Sequence, residues 1–158
     1  MVQSETNNRR SSVHNGDILT ATTDVIAHQV NCMGVMGAGL AKSIKESYPE
    51  VFHAYHEHCK CQEELLGTCQ LVQTSGGRYV ANLFGQKSFG RRNQQTDYHA
   101  VHQALLDCVQ QMQDKGLKSI AIPYKMGCGL GGGAWPIVKN IITEVFAPTD
   151  MFVEIWKL

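Results

Sequence analysis

Eight of the fifteen glycines in this 158-residue chain fall in two short stretches. Gly34, Gly37 and Gly39 lie in the first; Gly127, Gly129, Gly131, Gly132 and Gly133 lie in the second. Each stretch follows a short apolar run and precedes a helix-like one. That order aims free backbone N–H groups and the positive end of a helix dipole at one place, an anion site that needs neither Lys nor Arg. Glycine also admits φ > 0 and lets a phosphate come close to the backbone. Two such loops at the same end of one sheet predict two neighbouring anionic groups, hence a pyrophosphate, in the crevice beyond the strands' carboxyl ends. Taken singly, either loop is equally compatible with a tight turn that holds no ligand.

Strand-like and helix-like runs alternate around the loops. Val25-Ile26-Ala27-His28-Gln29-Val30 is short and β-branched and reads as a buried strand. From Gly39, Leu40, Ile44 and Tyr48 recur at i, i+4 and i+8, one apolar helical stripe ended by Pro49. Val51 to Cys59 reads as a second short helix. Strands are predicted at Cys69 to Gln73 and Tyr79 to Phe84, on either side of the turn Ser75-Gly76-Gly77. Thr96 or Asp97 suits the N-cap of a long helix carrying Val101, Leu105, Cys108, Val109 and Met112 on one side, with Gly116 as its stop. Ser119 to Tyr124 is a strand, Pro136 suits the first turn of a helix to about Phe146, and Met151 to Lys157 alternates as a closing strand. Strands interleaved with helices predict one α/β domain with a mostly parallel or mixed sheet over residues 11–158, after a flexible polar tail at 1–10.

Composition narrows the function classes. Fourteen Lys and Arg balance fourteen Asp and Glu. A net charge of zero argues against a general binder of the nucleic-acid backbone, which carries a basic excess; a local basic patch stays open. No run approaches the roughly 18 apolar residues that span a bilayer. The first fifteen residues lack the apolar stretch of a signal peptide. Six Cys are too sparse for a disulfide framework and read as cytosolic thiols. A cytoplasmic monomer is the expectation.

Familiar nucleotide motifs fail on inspection. Gly34 to Gly39 has the first six positions of a P-loop, but Leu40 and Ala41 stand where Lys and Ser/Thr must be. Gly127-Cys128-Gly129-Leu130-Gly131-Gly132 matches G-x-G-x-x-G, yet it comes late, with only one βα unit left after it. A dinucleotide fingerprint opens its βαβ unit and is followed by an acidic residue on the next strand. The cluster His53, His56, His58, Cys59 and Cys61 lacks metal-ligand spacing and reads as a solvated helix end. Cys128 reads as a small loop filler rather than a nucleophile. Arg91 and Arg92 are either a solvated loop or a receiver for the leaving part of a substrate.

Three segments together carry a resemblance. Gly16-Asp17-Ile18-Leu19, the run from Val30 to Lys42 (VNCMGVMGAGLAK) and the run from Met126 to Trp135 (MGCGLGGGAW) look like a macrodomain, in order and over nearly the whole chain. Within that superfamily the chain is similar to the branch of the terminal ADP-ribose protein glycohydrolase and the yeast-type ADP-ribose-1″-phosphate phosphatases, a branch with many bacterial and phage members. The resemblance implies a six-stranded mixed sheet between helices, with ADP-ribose in a cleft at one end and no cofactor or metal. Asp17 would accept from the adenine amino group, with Ile18 offering backbone beside it. Asn31 would hold the distal ribose hydroxyls. Gly37, Ala38, Gly39 and Leu40 would wrap that ribose and its 1″ substituent. Met126, Gly127, Cys128, Gly129, Leu130 and Gly131 would cradle the pyrophosphate, and Trp156 would stack on adenine. Met36, Gln86 and Pro123 complete the implied binding set.

For chemistry the resemblance points to His28, which matches the histidine assigned catalysis in the yeast-type phosphatase. Its pKa range suits a general acid or base, or a nucleophile toward the 1″-phosphate. A histidine satisfied by core hydrogen bonds is the alternative. The departures are as informative. Many relatives carry Asp where this chain has Ala134, which leaves the expected acid or base missing. In the glycohydrolase branch another loop Asp aligns with Gly131, and the nucleophilic lysine aligns with Gln86, beside Lys87. Two readings follow. One is a hydrolase acting at the 1″ position, on ADP-ribose-1″-phosphate or an ADP-ribosyl ester, in which Ala134 removes activity by nature or by design. The other is a non-catalytic reader of ADP-ribose or a related NAD-derived nucleotide.

Overall fold

The computed structural model describes residues 10–61, 63–90 and 93–158. The expected tail, apart from Arg10, and the pair Arg91 and Arg92 therefore lie outside the described residues. Arg10 itself is held at the sheet edge: its carbonyl accepts from Val153 N–H at 2.7 Å and its guanidinium donates to the Thr149 carbonyl at 3.3 Å.

The elements are β1 (Ser11–Asn15), a 3₁₀ turn (Ile18–Thr20), β2 (Val25–Val30), α1 (Gly39–Ser47), α2 (Pro49–Cys61), β3 (Cys69–Gln73), β4 (Tyr79–Phe84), α3 (Tyr98–Asp114), β5 (Ser119–Pro123), α4 (Trp135–Phe146) and β6 (Phe152–Lys157). The six strands form one sheet in the order β1-β6-β5-β2-β4-β3. All neighbours are parallel except β3, which pairs antiparallel with β4 through the Ser75-Gly76-Gly77 turn. The fold is α/β with a six-stranded mixed sheet and four helices. Among the described residues no helix is long and apolar enough to cross a membrane.

Strand alternation divides the core. Val25 and Ala27 of β2, with Ala81, Leu83, Ile120 and Ile122, pack under α3 and α4 in the largest cluster. Ile26 and Val30 point to the other face. There Ile26 packs with Ile18, Ala21 and Ala121, and Val30 with Met36, Tyr55 and Phe84. The helices therefore leave the two central strands toward opposite faces: β2 runs on to α1 and β5 to α4. A crevice opens where such departures diverge, at the carboxyl ends of adjacent parallel strands.

β1 has no strand-like apolar pattern to announce it. Its residues are Ser-Ser-Val-His-Asn, and its one aliphatic side chain, Val13, is 68% exposed at the sheet edge. What holds β1 is backbone pairing with β6 and the stacking of His14 on Trp156, with ring centroids 5.0 Å apart.

Candidate functional site

A cleft of about 550 Å³ sits at that divergence. From β2 and the first glycine loop come His28, Gln29, Val30, Asn31 and Val35; from the start of α1, Gly37, Ala38, Gly39, Leu40 and Ala41. Gln86, Phe89 and Gly90 form one side, and Pro123 to Gly127 with Gly129, Leu130 and Gly131 form the other. Most of the sequence-predicted site residues are thus brought together.

The second loop is a cradle made by its own carbonyls. Pro123, Lys125, Gly127, Gly129 and Gly131 all accept hydrogen bonds inside the protein, from Met126, Cys128, Gly133, Gly132 and the Gln95–Thr96 pair respectively. With those carbonyls occupied, the N–H groups of Gly127, Gly129, Leu130 and Gly131 have no protein acceptor among the described residues. Gly127 adopts φ +75°, and a Cβ there would lie 2.6 Å from Gln29 Oε1, so only glycine fits. Facing it, α1 begins at an uncapped Ala38. Its internal ladder starts only with Lys42 N–H to the Ala38 carbonyl at 3.3 Å, so the Gly39, Leu40 and Ala41 N–H groups also lack a partner among the described residues. Two sets of unpaired donors therefore share one cleft, and among the described residues Lys125 is the one Lys, Arg, Asp or Glu in its lining.

The first loop is held by side chains instead. Asn31, 8% exposed, accepts from Met33 N–H (2.9 Å), Val35 N–H (3.4 Å) and Tyr55 O–H (2.8 Å), and donates to the Val35 carbonyl (2.9 Å). Much of its amide is spent on its own loop, and one N–H remains for a ligand. His56 Nδ1 donates to the Gly34 carbonyl at 3.1 Å. Met36 is buried in the core beside Tyr55 and does not line the cleft.

His28 lines the cleft but is only 2% exposed, with Nε2 and Asn82 Oδ1 2.6 Å apart. Burial pushes its pKa down to about 4, against a weaker upward pull from Asn82. At neutral pH the ring is uncharged: an acceptor or base, not an acid. Cys128, beside the cradle, is pushed up from its ordinary pKa by burial, so its thiol stays protonated. Gln86 lines the cleft; the neighbouring Lys87 does not.

Asp17, Ile18 and Trp156 lie outside the cleft's lining. Asp17 is exposed and caps the 3₁₀ turn, accepting from Leu19 N–H at 3.0 Å. Ile18 is in the core, where Leu40 and Trp156 pack against its cluster and join this region to the cleft wall. Trp156 presents one face to His14 and donates to Glu154 at 2.9 Å. Ala134 is the exposed N-cap residue of α4, also outside the lining; its N–H donates to Tyr98 Oη at 2.9 Å. At Gly131 a Cβ would meet Thr96 Oγ1 at 2.5 Å and the Gly127 carbonyl at 2.7 Å. This loop has closed over the space that a carboxylate there would need.

Several residues escaped the reading of the sequence. Gln29 runs between the Gly85 and Gly127 backbones and donates to Gln86 Oε1 and Thr96 Oγ1, both at 2.8 Å. Thr96 passes its own proton to the Gly127 carbonyl at 2.6 Å. It is free to do so because Asp97 caps α3, accepting from Ala100 N–H at 3.0 Å. A polar Gln inside an apolar strand was the one signal available. Tyr124 also lines the cleft, with the Lys125 and Lys157 ammonium groups 5.5 and 4.6 Å from its ring centroid. Among the described residues no group of three or more His, Cys, Asp or Glu side chains is placed to hold a metal ion.

Comparison with known proteins matches a family model described as the Macro domain to residues 27–142. A DNA ADP-ribosyl glycohydrolase of Mycobacterium tuberculosis is 34% identical over 134 residues, 83% of this chain and 37% of that protein. This chain therefore spans just over a third of that relative's length. An ADP-ribose 1″-phosphate phosphatase of Meyerozyma guilliermondii is 33% identical over 99 residues, 52% of this chain and 57% of that protein. Among solved structures, the macrodomain of Mycobacterium tuberculosis DarG superposes with a TM-score of 0.83 at 30% identity, covering 92% of this chain and 96% of the other.

Proposed function

The chain belongs to the Macro domain family, and from that premise we propose that it binds ADP-ribose in this cleft and hydrolyses a bond at the 1″ position of the distal ribose. The observation that carries the reading is the set of unpaired N–H groups at Gly127, Gly129, Leu130 and Gly131, facing those of Gly39 to Ala41 across one cleft. Donors fixed by carbonyls that are already occupied need no reorganisation to receive a diphosphate. The distal ribose then lies against Asn31 and the Gly37 to Leu40 segment. The adenosine end extends past Leu40 toward Ile18, Asp17 and Trp156.

Among the described residues the cleft lining holds no Asp or Glu, and His28, neutral at pH 7, offers a ring nitrogen that can accept a proton or a hydrogen bond there. Names of relatives suggest two substrates, ADP-ribose-1″-phosphate and ADP-ribosyl DNA, and the resemblance read from the sequence adds a third, an ADP-ribosyl ester. Gln86 and Gly131, where the glycohydrolase branch has its lysine and aspartate, favour ADP-ribose-1″-phosphate. The missing carboxylate also supports a second reading, a reader that binds ADP-ribose without turnover.

Calorimetry with ADP-ribose tests the shared part; micromolar affinity is expected, about −8 kcal/mol. No heat at high protein concentration would overturn both readings. Incubation with each of the three substrates then separates them, since the reader binds and releases nothing.

A further inference from the structure

One row of polar side chains crosses the sheet beneath α2 in an otherwise apolar layer. The strand register sets Gln70 of β3 beside Asn82 of β4, and Asn82 beside His28 of β2. Gln70 Nε2 lies 3.2 Å from the Ala54 carbonyl, Asn82 Nδ2 lies 3.1 Å from Gln70 Oε1, and His28 Nε2 lies 2.6 Å from Asn82 Oδ1. A main-chain carbonyl can only accept. Gln70 must therefore turn its NH₂ to Ala54 and its oxygen to Asn82. Asn82 in turn must give its NH₂ to Gln70 and its oxygen to His28. The carbonyl at the far end of the row dictates the tautomer at the near end: His28 carries its proton on Nε2. Its Nδ1 is left as a bare lone pair, buried, with no partner among the described residues.

We propose that Gln70 and Asn82 are positioning residues that lock His28 as the Nε2–H tautomer, so that Nδ1 accepts a hydrogen bond from a hydroxyl of the ligand bound in the cleft. A buried acceptor left unpaired is costly, and a ligand hydroxyl that reaches it recovers that cost on binding. The depressed pKa of the ring agrees, because an imidazole that stays neutral keeps its lone pair available. The ligand half of this proposal rests on the ADP-ribose reading above; the tautomer half does not.

Long-range ¹H–¹⁵N spectra of the histidine-labelled chain read the tautomer directly. The expected result is a pyrrole-like Nε2 and a pyridine-like Nδ1 for His28 in the free protein; a protonated Nδ1 overturns the proposal. On titration with ADP-ribose the Nδ1 resonance should move upfield while Nε2 stays. An Nδ1 already shifted in the free protein and unmoved by the titration would mean that water occupies it, and overturns the ligand half. If calorimetry shows binding but Nδ1 does not respond, the proposal falls and the functional reading stands. If nothing binds, the functional reading falls and takes the ligand half with it.

Gln70→Leu removes the partner that fixes Asn82, and should scramble the His28 tautomer and weaken ADP-ribose binding about 3- to 10-fold. In a double-mutant cycle with His28→Ala, Gln70→Leu should add less than about two-fold. Fully additive losses, with the tautomer unchanged in Gln70→Leu, would reduce Gln70 to a structural role and overturn the positioning claim.

Discussion

The two glycine loops look alike in sequence and are built on opposite plans. The first, leading into α1, is fixed from outside by side chains: Asn31 bridges its turns, Tyr55 holds Asn31, and His56 holds Gly34. The second, leading into α4, is fixed largely by its own backbone, with Thr96 as the chief side-chain tie. The difference teaches where specificity and where affinity reside. A backbone cradle offers N–H groups that only proline can delete, so on the proposed reading it suits a diphosphate common to every ligand. A loop hung on side chains can be re-aimed by changing them, so it suits the variable 1″ end.

The largest effect should come from a methyl group in the second loop. In Gly131→Ala the new Cβ would sit 2.5 Å from Thr96 Oγ1 and 2.7 Å from the Gly127 carbonyl, and the latter is backbone that cannot swing aside. Strain of about 1–3 kcal/mol should open the cradle and cost ADP-ribose affinity about 10- to 100-fold by calorimetry. Affinity within two-fold of the parent would show that this loop is not the diphosphate site.

Acid should weaken the sheet face beneath α1 and α2, where His28 lies, and not the second loop. The ring titrates at about 4 in the folded chain against 6.5 unfolded, so the unfolded chain binds the proton first as pH falls. Stability present above pH 6.5 is therefore lost between 6.5 and about 4, a loss of about 3 kcal/mol at the low end. Urea midpoints across that range should fall less steeply in His28→Gln than in the parent. Parallel slopes would mean that His28 is not buried neutral.

A smaller effect is expected for the side-chain scaffold of the first loop. Asn31→Ala strips the side-chain partner from Met33 N–H and Val35 N–H, leaves Tyr55 O–H its 2.7 Å bond to the residue-31 carbonyl, and should cost about 2 kcal/mol of stability. Tyr55→Phe removes one hydroxyl and should cost about 1 kcal/mol. If Asn31→Ala left both the melting temperature and the discrimination among 1″ substituents unchanged, the contrast between the loops would collapse.

How much of this was legible in the sequence follows the same division. Buried strands and amphipathic helices were readable because burial writes a period into the chain: Val25–Val30, Cys69–Gln73 and Tyr79–Phe84 stand where the apolar runs predicted them. β1 was not, because an edge strand held by backbone pairing and one ring stack leaves no such period. The loops and their place at the sheet's end were visible in the glycines. Their supports were not: Gln29, Gln86, Thr96 and Gly127 meet only in three dimensions, and single polar residues carry no pattern. Lys125 and Tyr124 were missed for a related reason: Tyr124 reads as the last residue of a strand and Lys125 as the loop after it, whereas the strand ends at Pro123 and both residues turn into the cleft wall. The resemblance alone singled out Asp17 and Trp156, and both lie outside the cleft lining.

The smallest change bears on the most visible departure from the relatives. Ala134 has the extended backbone of an N-cap, φ −98° and ψ 123°, with no side chain to accept from the first turn of α4. In Ala134→Asp the carboxylate can accept from Ile137 N–H, which now donates to the Ala134 carbonyl at 3.1 Å, since Pro136 at the intervening position has none to give. Capping together with the helix dipole should add about 1 kcal/mol, or about 2–4 °C in melting temperature for a chain of this size. Ala134 lies outside the cleft lining, so turnover of ADP-ribose-1″-phosphate should change less than about two-fold in the same variant. A ten-fold rise in hydrolysis with an unchanged melting temperature would mean that the carboxylate leans into the cleft. The end of the second loop would then carry chemistry as well as charge, and the plain division between a fixed cradle and an adjustable loop would have to be redrawn around position 134.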